Sequence, residues 1–204
     1  MASNDFRHRA RIAAGAAAIA ILAAGGCALS PQMVALNPAV QSAPVFQGNG
    51  RTLALAVEDR RPQAAFGTRG GIYGTTSEIS PGTDVSGAVR AALAGRLSGA
   101  GFAVQPPGAP GQVDMRVAIN AIDYAASGSP AVNAIDLGAN MDLTVSLDGN
   151  TYRGDARVSE RRSVLTAPTA QDNEQFLNEI VGRAIDRLLA NPDLATFLSK
   201  TGSE

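Results

Sequence analysis

From Ile135 to Leu147 every second residue is apolar: Ile135, Leu137, Ala139, Met141, Leu143, Val145 and Leu147 alternate with Asp136, Asn140, Asp142, Thr144 and Ser146. Successive side chains of a strand point to opposite faces, so this run predicts a strand with one dry face and one wet face. Asp148-Gly149-Asn150 follows, with residues suited to positive φ, and reads as a hairpin turn. Tyr152, Gly154, Ala156 and Val158 return as its partner strand. Such a hairpin cannot bury its dry face alone, so the rest of the chain has to supply a covering layer.

Two segments fit that task. Pro81-Gly82-Thr83-Asp84 marks a helix start with Thr83 or Asp84 as cap, and Val85, Val89, Leu93 and Leu97 then recur every fourth residue until Gly99 and Gly101 end the run. Asp172 or Asn173 is the expected cap of a longer helix. Its stripe is Phe176, Leu177, Ile180, Val181, Ala184, Ile185, Leu188 and Leu189, and Asn191-Pro192 closes it and starts a short third helix.

Further strands are expected at Thr52–Val57, whose alternating Leu, Ala and Val suggest cover on both faces, and at Phe102–Val104. A longer one runs from Val113 to Tyr124 with a bulge near Ala121. Ala125–Pro130 reads as a polar break, and Pro62–Gly82, with Gly67, Gly70, Gly71 and Gly74, as a long loop. Residues 28–50 read as a tether, though Leu36, Val40 and Val45 could pack on the domain edge instead. The predicted class is α+β: a two-layer sandwich, a mixed or antiparallel sheet with helices packed on one face, in the order β-α-β-β-β-β-α-α.

The start of the chain is of another kind. Arg7, His8, Arg9 and Arg11 precede an unbroken Ile12–Ala24 run of Ile, Leu, Ala and Gly, and Ala24-Gly25-Gly26 lead into Cys27. This is the layout of a secretory signal, shorter than the roughly 20 apolar residues that span a bilayer. It resembles the lipobox of bacterial lipoproteins, although Ala24 stands where that box usually has Leu. The resemblance implies cleavage after residue 26, acylation of Cys27, a tether over 27–50 and one periplasmic domain over 51–204. An ordinary secreted protein with a leftover thiol, or an uncleaved anchor, is the alternative reading. Ala28 after the cysteine, in place of Asp, favours the outer membrane.

Loss of residues 1–26 removes Arg7, Arg9, Arg11 and Asp5. Of the 17 basic and 18 acidic residues, 14 and 17 then remain on 178 residues, which gives neither a polybasic nucleic-acid surface nor an acidic tail. The only histidine, His8, goes with the signal and the only cysteine would carry lipid. The mature domain therefore lacks the residues of Cys and His zinc sites and of Cys-His or Ser-His-Asp nucleophiles. No cofactor, metal or catalytic residue is assigned.

Val57-Glu58-Asp59-Arg60-Arg61-Pro62, Phe66-Gly67-Thr68-Arg69, Ile79-Ser80-Pro81-Gly82-Thr83-Asp84-Val85, Leu93–Leu97 and Gly101-Phe102-Ala103-Val104 together resemble the YajG-type outer-membrane lipoproteins of Gram-negative bacteria. The resemblance implies a lipid anchor and a periplasm-facing domain, and brings no catalytic residues.

Asp59, Arg60, Arg61 and Arg69 form the candidate site for an anionic headgroup or a partner's carboxylate, because arginine forks bind such groups through two hydrogen bonds. The competing reading is that Asp59 pairs with an arginine and caps the loop. Gly67–Gly74 lacks the Gly-Lys-Ser/Thr ending of a phosphate loop. Arg161-Arg162 reads as a solvated loop, and Asp136 with Asp142 are too far apart along the strand to hold one Ca²⁺ unaided. Three functions follow: a non-enzymatic envelope lipoprotein binding a protein, lipid or glycan; an accessory of a transport or assembly complex; or a carboxylate hydrolase of cell wall or polysaccharide, which needs two acids facing one cleft.

Overall fold

The computed structural model describes residues 30–41, 44–70, 77–129 and 132–200. The expected signal, Cys27, Gly71 and Gly74 lie outside the described residues. The alternating run, extended at its amino-terminal end to Val132, is a strand of a mixed eight-stranded sheet. In chain order the strands are β1 (Gln32–Val34), β2 (Thr52–Asp59), β3 (Gly67–Thr68), β4 (Glu78–Pro81), β5 (Ala103–Val104), β6 (Val113–Ser129), β7 (Val132–Leu147) and β8 (Asn150–Val164). Helices α1 (Val85–Gly99), α2 (Ala170–Leu189) and α3 (Pro192–Lys200) complete the fold. The α+β sandwich is as expected, with β1, β3 and β4 added inside segments read as tether and loop. Strands of two to four residues are too short to show a period.

β6, β7 and β8 form the antiparallel core of the sheet, joined at Asp148 (φ 49°) and Gly149 (φ 76°), the left-handed pair that a tight hairpin requires. β6 does not break at Ala125 but continues to Ser129, paired throughout with β7. Its register shifts between Ile119 and Ala121, where the sequence placed a bulge. That bulge is also a junction. On the edge of β6 away from β7, β2 pairs in parallel up to Asp59↔Ile119, the chain leaves, and β3 rejoins the same edge at Gly67↔Tyr124. Gly67 (φ 148°) is required there, because a Cβ would fall 1.8 Å from the Tyr124 carbonyl oxygen.

All three described helices lie on the dry face. Leu53, Leu55, Val113, Met115, Val117, Ile119 and the β7 run Ile135–Leu147 meet Val85, Val89, Leu93 and Leu97 of α1 and the apolar rows of α2. Asp84 caps α1 by accepting from the backbone N–H groups of Ser86 and Gly87. For α2 the cap is Thr169, in a reciprocal capping box with Asp172, one turn earlier than read from the sequence. Asn173, the other expected cap, is instead fully buried: it accepts from the Tyr124 hydroxyl (2.7 Å) and donates to Gln32 Oε1 (2.7 Å).

That network corrects the tether. β1 pairs in parallel with β4, and residues 35–41 run along α2. Ala35, Asn37 and Gln41 donate backbone N–H groups to Glu174, Asn178 and Asp186. Gly182 allows the crossing, since a Cβ there would lie 2.5 Å from the Ala39 carbonyl oxygen. Val34 and Leu36 are buried and Val40 packs against the core, so this stretch is a strap on the domain; Val45 stays exposed. Phe46 then meets Phe102 edge to face at 6.1 Å.

Candidate functional site

With the helices on one side, no described element covers the opposite face of the sheet. β2 is covered on one face only: Leu53 and Leu55 are buried, while Ala54 is half-buried and Ala56 exposed. The register stacks the outward side chains in rows. Glu58, Ala118, Asp142 and Asp155 form one row, and Ala56, Arg116, Thr144 and Arg153 the next. Small residues at Ala56 and Ala118 leave a shallow basin of about 580 Å³, walled by Glu58, Arg60, Arg116, Asp142, Arg153 and Asp155.

Both signs of charge meet in this basin. Arg60 donates to Glu58 Oε2 through Nε (2.9 Å) and Nη2 (2.7 Å). That hydrogen bond, with the guanidinium charge, holds the Glu58 carboxyl below the usual glutamate range. Arg116 forks onto both oxygens of Asp114 at 3.1 Å. Arg153 has no ion-pair partner among the described residues.

The four arginine-loop residues part company. Arg61 has a side chain only 4% exposed and grips Asp59 through Nε (2.9 Å) and Nη2 (2.8 Å). Its Nη1 donates to the Ala64 carbonyl, and the guanidinium lies 5.0 Å from the Phe66 ring centroid. This pair clamps the excursion by which the chain leaves β6 at Asp59 and returns at Gly67, so the loop-capping reading describes Asp59 and Arg61. It also lowers the Asp59 carboxyl, chiefly through the Arg61 hydrogen bond. Arg60 alone of the four lines the basin. Arg69 lies along the sheet, where Nη2 donates to the Ser30 carbonyl (2.5 Å).

Arg161 and Arg162 are on β8, not in a loop. Arg161 faces outward beside Asp136 at 3.7 Å. Arg162 faces the helices, bonded to Glu160 (2.8 Å) and Glu179 (2.5 Å), with its guanidinium 4.4 Å from the Phe176 centroid. Arg183 adds a second contact to Glu160. These contacts fasten α2 to β8. Asp142 belongs to the basin and not to a pair with Asp136. Among the described residues no cluster of three or more acidic, Cys or His side chains could hold a metal ion. No described helix is long and apolar enough to cross a membrane.

Residues 38–199 match the model of a family described as "Uncharacterized lipoprotein". No curated protein matches the chain by sequence. Among solved structures it is similar to protein XCC0632 from Xanthomonas campestris, with a TM-score of 0.57 and 7% identity over 82% of this chain and 98% of that one, a likeness of fold alone. Lipoprotein GNA1162 from Neisseria meningitidis is similar at a TM-score of 0.33, with 14% identity over 67% of this chain and 96% of that one. A putative lipoprotein from Caulobacter crescentus gives 0.34, with 16% identity over 72% and 92%.

Proposed function

The chain belongs to this family of lipoproteins, and from that premise we propose that it is a YajG-type lipoprotein of the Gram-negative outer membrane that holds a non-enzymatic binding domain in the periplasm. Residues 1–26 are the cleaved signal and Cys27 is the acylated residue. One acyl chain anchors only marginally and several hold permanently, at about 0.8 kcal/mol per buried CH₂. The tether in this reading precedes β1, since residues 32–41 pack on the domain.

The observation that carries the binding role is the open basin. Its walls present three arginines and three carboxylates on a rigid sheet, which suits a protein surface offering both signs of charge. Arg153 supplies the fork, with Arg116, held on Asp114, beside it and Arg60 at the rim; Asp59 and Arg61 support the loop that positions Arg60. The same face would serve an accessory of a transport or assembly complex. A carboxylate hydrolase has one observation in its favour, since Glu58, Asp142 and Asp155 share the basin. Against it, Arg60 lowers the Glu58 carboxyl, whereas a proton donor needs a raised one.

The test is photo-crosslinking in intact cells from Thr144 and Arg153, with exposed Ser98 on α1 as control. One captured protein from both basin positions, lost in Arg60→Glu with Arg116→Glu and absent from Ser98, is the expected result. Equal capture from Ser98, or none from the basin, contradicts the reading.

A further inference from the structure

We infer that the face of the sheet turned away from the helices is a two-fold interface on which a second copy of this chain packs, acidic row against basic row. This inference rests on the reading of the basin as a protein-binding surface, and it names the partner. The register supplies the geometry. Arg116 and Arg153 stand in one outward row with Ala56 and Thr144, and the next row carries Glu58, Asp142 and Asp155 with Ala118. Asp142 and Asp155 lie directly opposite each other on β7 and β8, a placement of like charges that destabilises a bare sheet. Neither has an ion-pair partner among the described residues, nor has Arg153, two residues before Asp155 on β8. All three residues are exposed.

A two-fold axis laid between these two rows, and parallel to them, exchanges one row for the other while each strand stacks on its own counterpart. Arg153 then meets the partner's Asp155, Asp155 meets the partner's Arg153, and Thr144 meets the partner's Asp142. The long side chains find gaps. Arg116 stands opposite the partner's Ala118, flanked by the partner's Glu58 and the partner's Asp142, and Glu58 stands opposite the partner's Ala56. The outer rows agree, with Ser146 opposite the partner's Asn140 and Thr151 opposite the partner's Arg157. An axis on either row sets like charges on each other, and the next boundary along the strands sets Arg153 against the partner's Ser159, without a carboxylate. The boundary between these two rows serves all three charges left single in the basin. With strands about 4.8 Å apart and about 3.3 Å per residue, β2, β6, β7 and β8 overlapping over about eight residues cover about 500 Å² on each copy. About 1,000 Å² in all is the low end for a specific pair, so the dimer is weak and sensitive to salt.

Two single charge reversals test this. The chain carrying Cys27→Ala, so that lipid does not gather it, would be followed by sedimentation equilibrium in low and high salt. The expected result is an equilibrium of monomer and dimer that salt shifts toward monomer. Arg153→Asp sets two carboxylates on each other at both contacts with Asp155, and Asp155→Arg sets two guanidinium groups on each other there, so each variant alone should lose the dimer. In an equimolar mixture both contacts become carboxylate on guanidinium, and the dimer should return. A chain that stays monomeric at every concentration, a dimer that neither reversal weakens, or a mixture that stays monomeric overturns the inference. Photo-crosslinking from Thr144 in intact cells separates the two claims. Capture of a second copy is expected; capture of a different protein alone overturns self-association and leaves the basin a binding surface, and no capture overturns both. Both reversed positions are exposed, and the salt shift with the Thr144 capture decides the matter if a variant does not fold.

Discussion

Asn173→Ala tests whether the strap is part of the folded domain. Asn173 is fully buried and its amide is used at both ends, accepting from the Tyr124 hydroxyl and donating to Gln32. Truncation leaves a buried hydroxyl without an acceptor, at about 1–3 kcal/mol, and removes a second hydrogen bond at about 1 kcal/mol. The expected loss is therefore about 2–4 kcal/mol, read as a shift of the urea midpoint at unchanged slope in the chain carrying Cys27→Ala. Hydrogen exchange should show β1 losing protection first. Tyr124→Phe removes the donor instead, and the double variant should cost at least about 1 kcal/mol less than the two losses added together. Burial, slightly opposed by Arg69, pushes the Tyr124 hydroxyl up to about 12. The unfolded chain therefore loses this proton before the folded one. Stability should fall as pH rises from 10 toward 12, and Tyr124→Phe should flatten that fall. A loss under about 0.5 kcal/mol for Asn173→Ala, or strict additivity, refutes the network.

Arg61→Ala should cost about 1–3 kcal/mol by freeing a nearly buried ion pair, whereas Arg60→Ala should leave the unfolding transition where it is; a reversed order in thermal melts contradicts the assigned roles. Arg162→Met should weaken the α2–β8 joint by about 2 kcal/mol. It should also reduce the acid dependence of stability, because hydrogen bonds from Arg162 hold Glu160 and Glu179 below their ordinary 4.5. That contribution is complete above 4.5 and drains away as pH falls through the lowered folded values, so acid titrations of wild type and variant should converge. Gly182→Ala should displace the strap without unfolding α2, seen as faster exchange at residues 35–41 with helical circular dichroism retained.

What the sequence disclosed is what short-range physics decides. The Asp84 cap, the bulge near Ala121, the Asp148-Gly149 turn and the apolar rows of α1 and α2 each depend on neighbours within a few residues. Arg162 was misread because a charged strand residue is buried here by Glu179 and Phe176, on a helix that the linear pattern does not bring near it. Asn173 looked like a cap because Asn favours that position, and its partner Tyr124 is 49 residues away. The strap carried no period, since its cohesion comes from hydrogen bonds to α2 side chains and not from alternation. Of the residues that line the basin, Arg60 alone is among the sequence candidates. The basin's members Arg116, Asp142, Arg153 and Asp155 are scattered along three strands, and only the register of β6, β7 and β8 gathers them. The wet half of the Ile135–Leu147 alternation was the available signal.

The lipid attachment can be measured directly. Cells expressing the natural chain and Cys27→Ala would be labelled with a clickable fatty acid, and the amino-terminal peptide of the purified protein weighed by mass spectrometry. Label on the natural chain alone, with a new amino terminus at an acylated Cys27, is the predicted result. An unlabelled chain with a free Cys27 thiol, recovered without the membrane fraction, would contradict it.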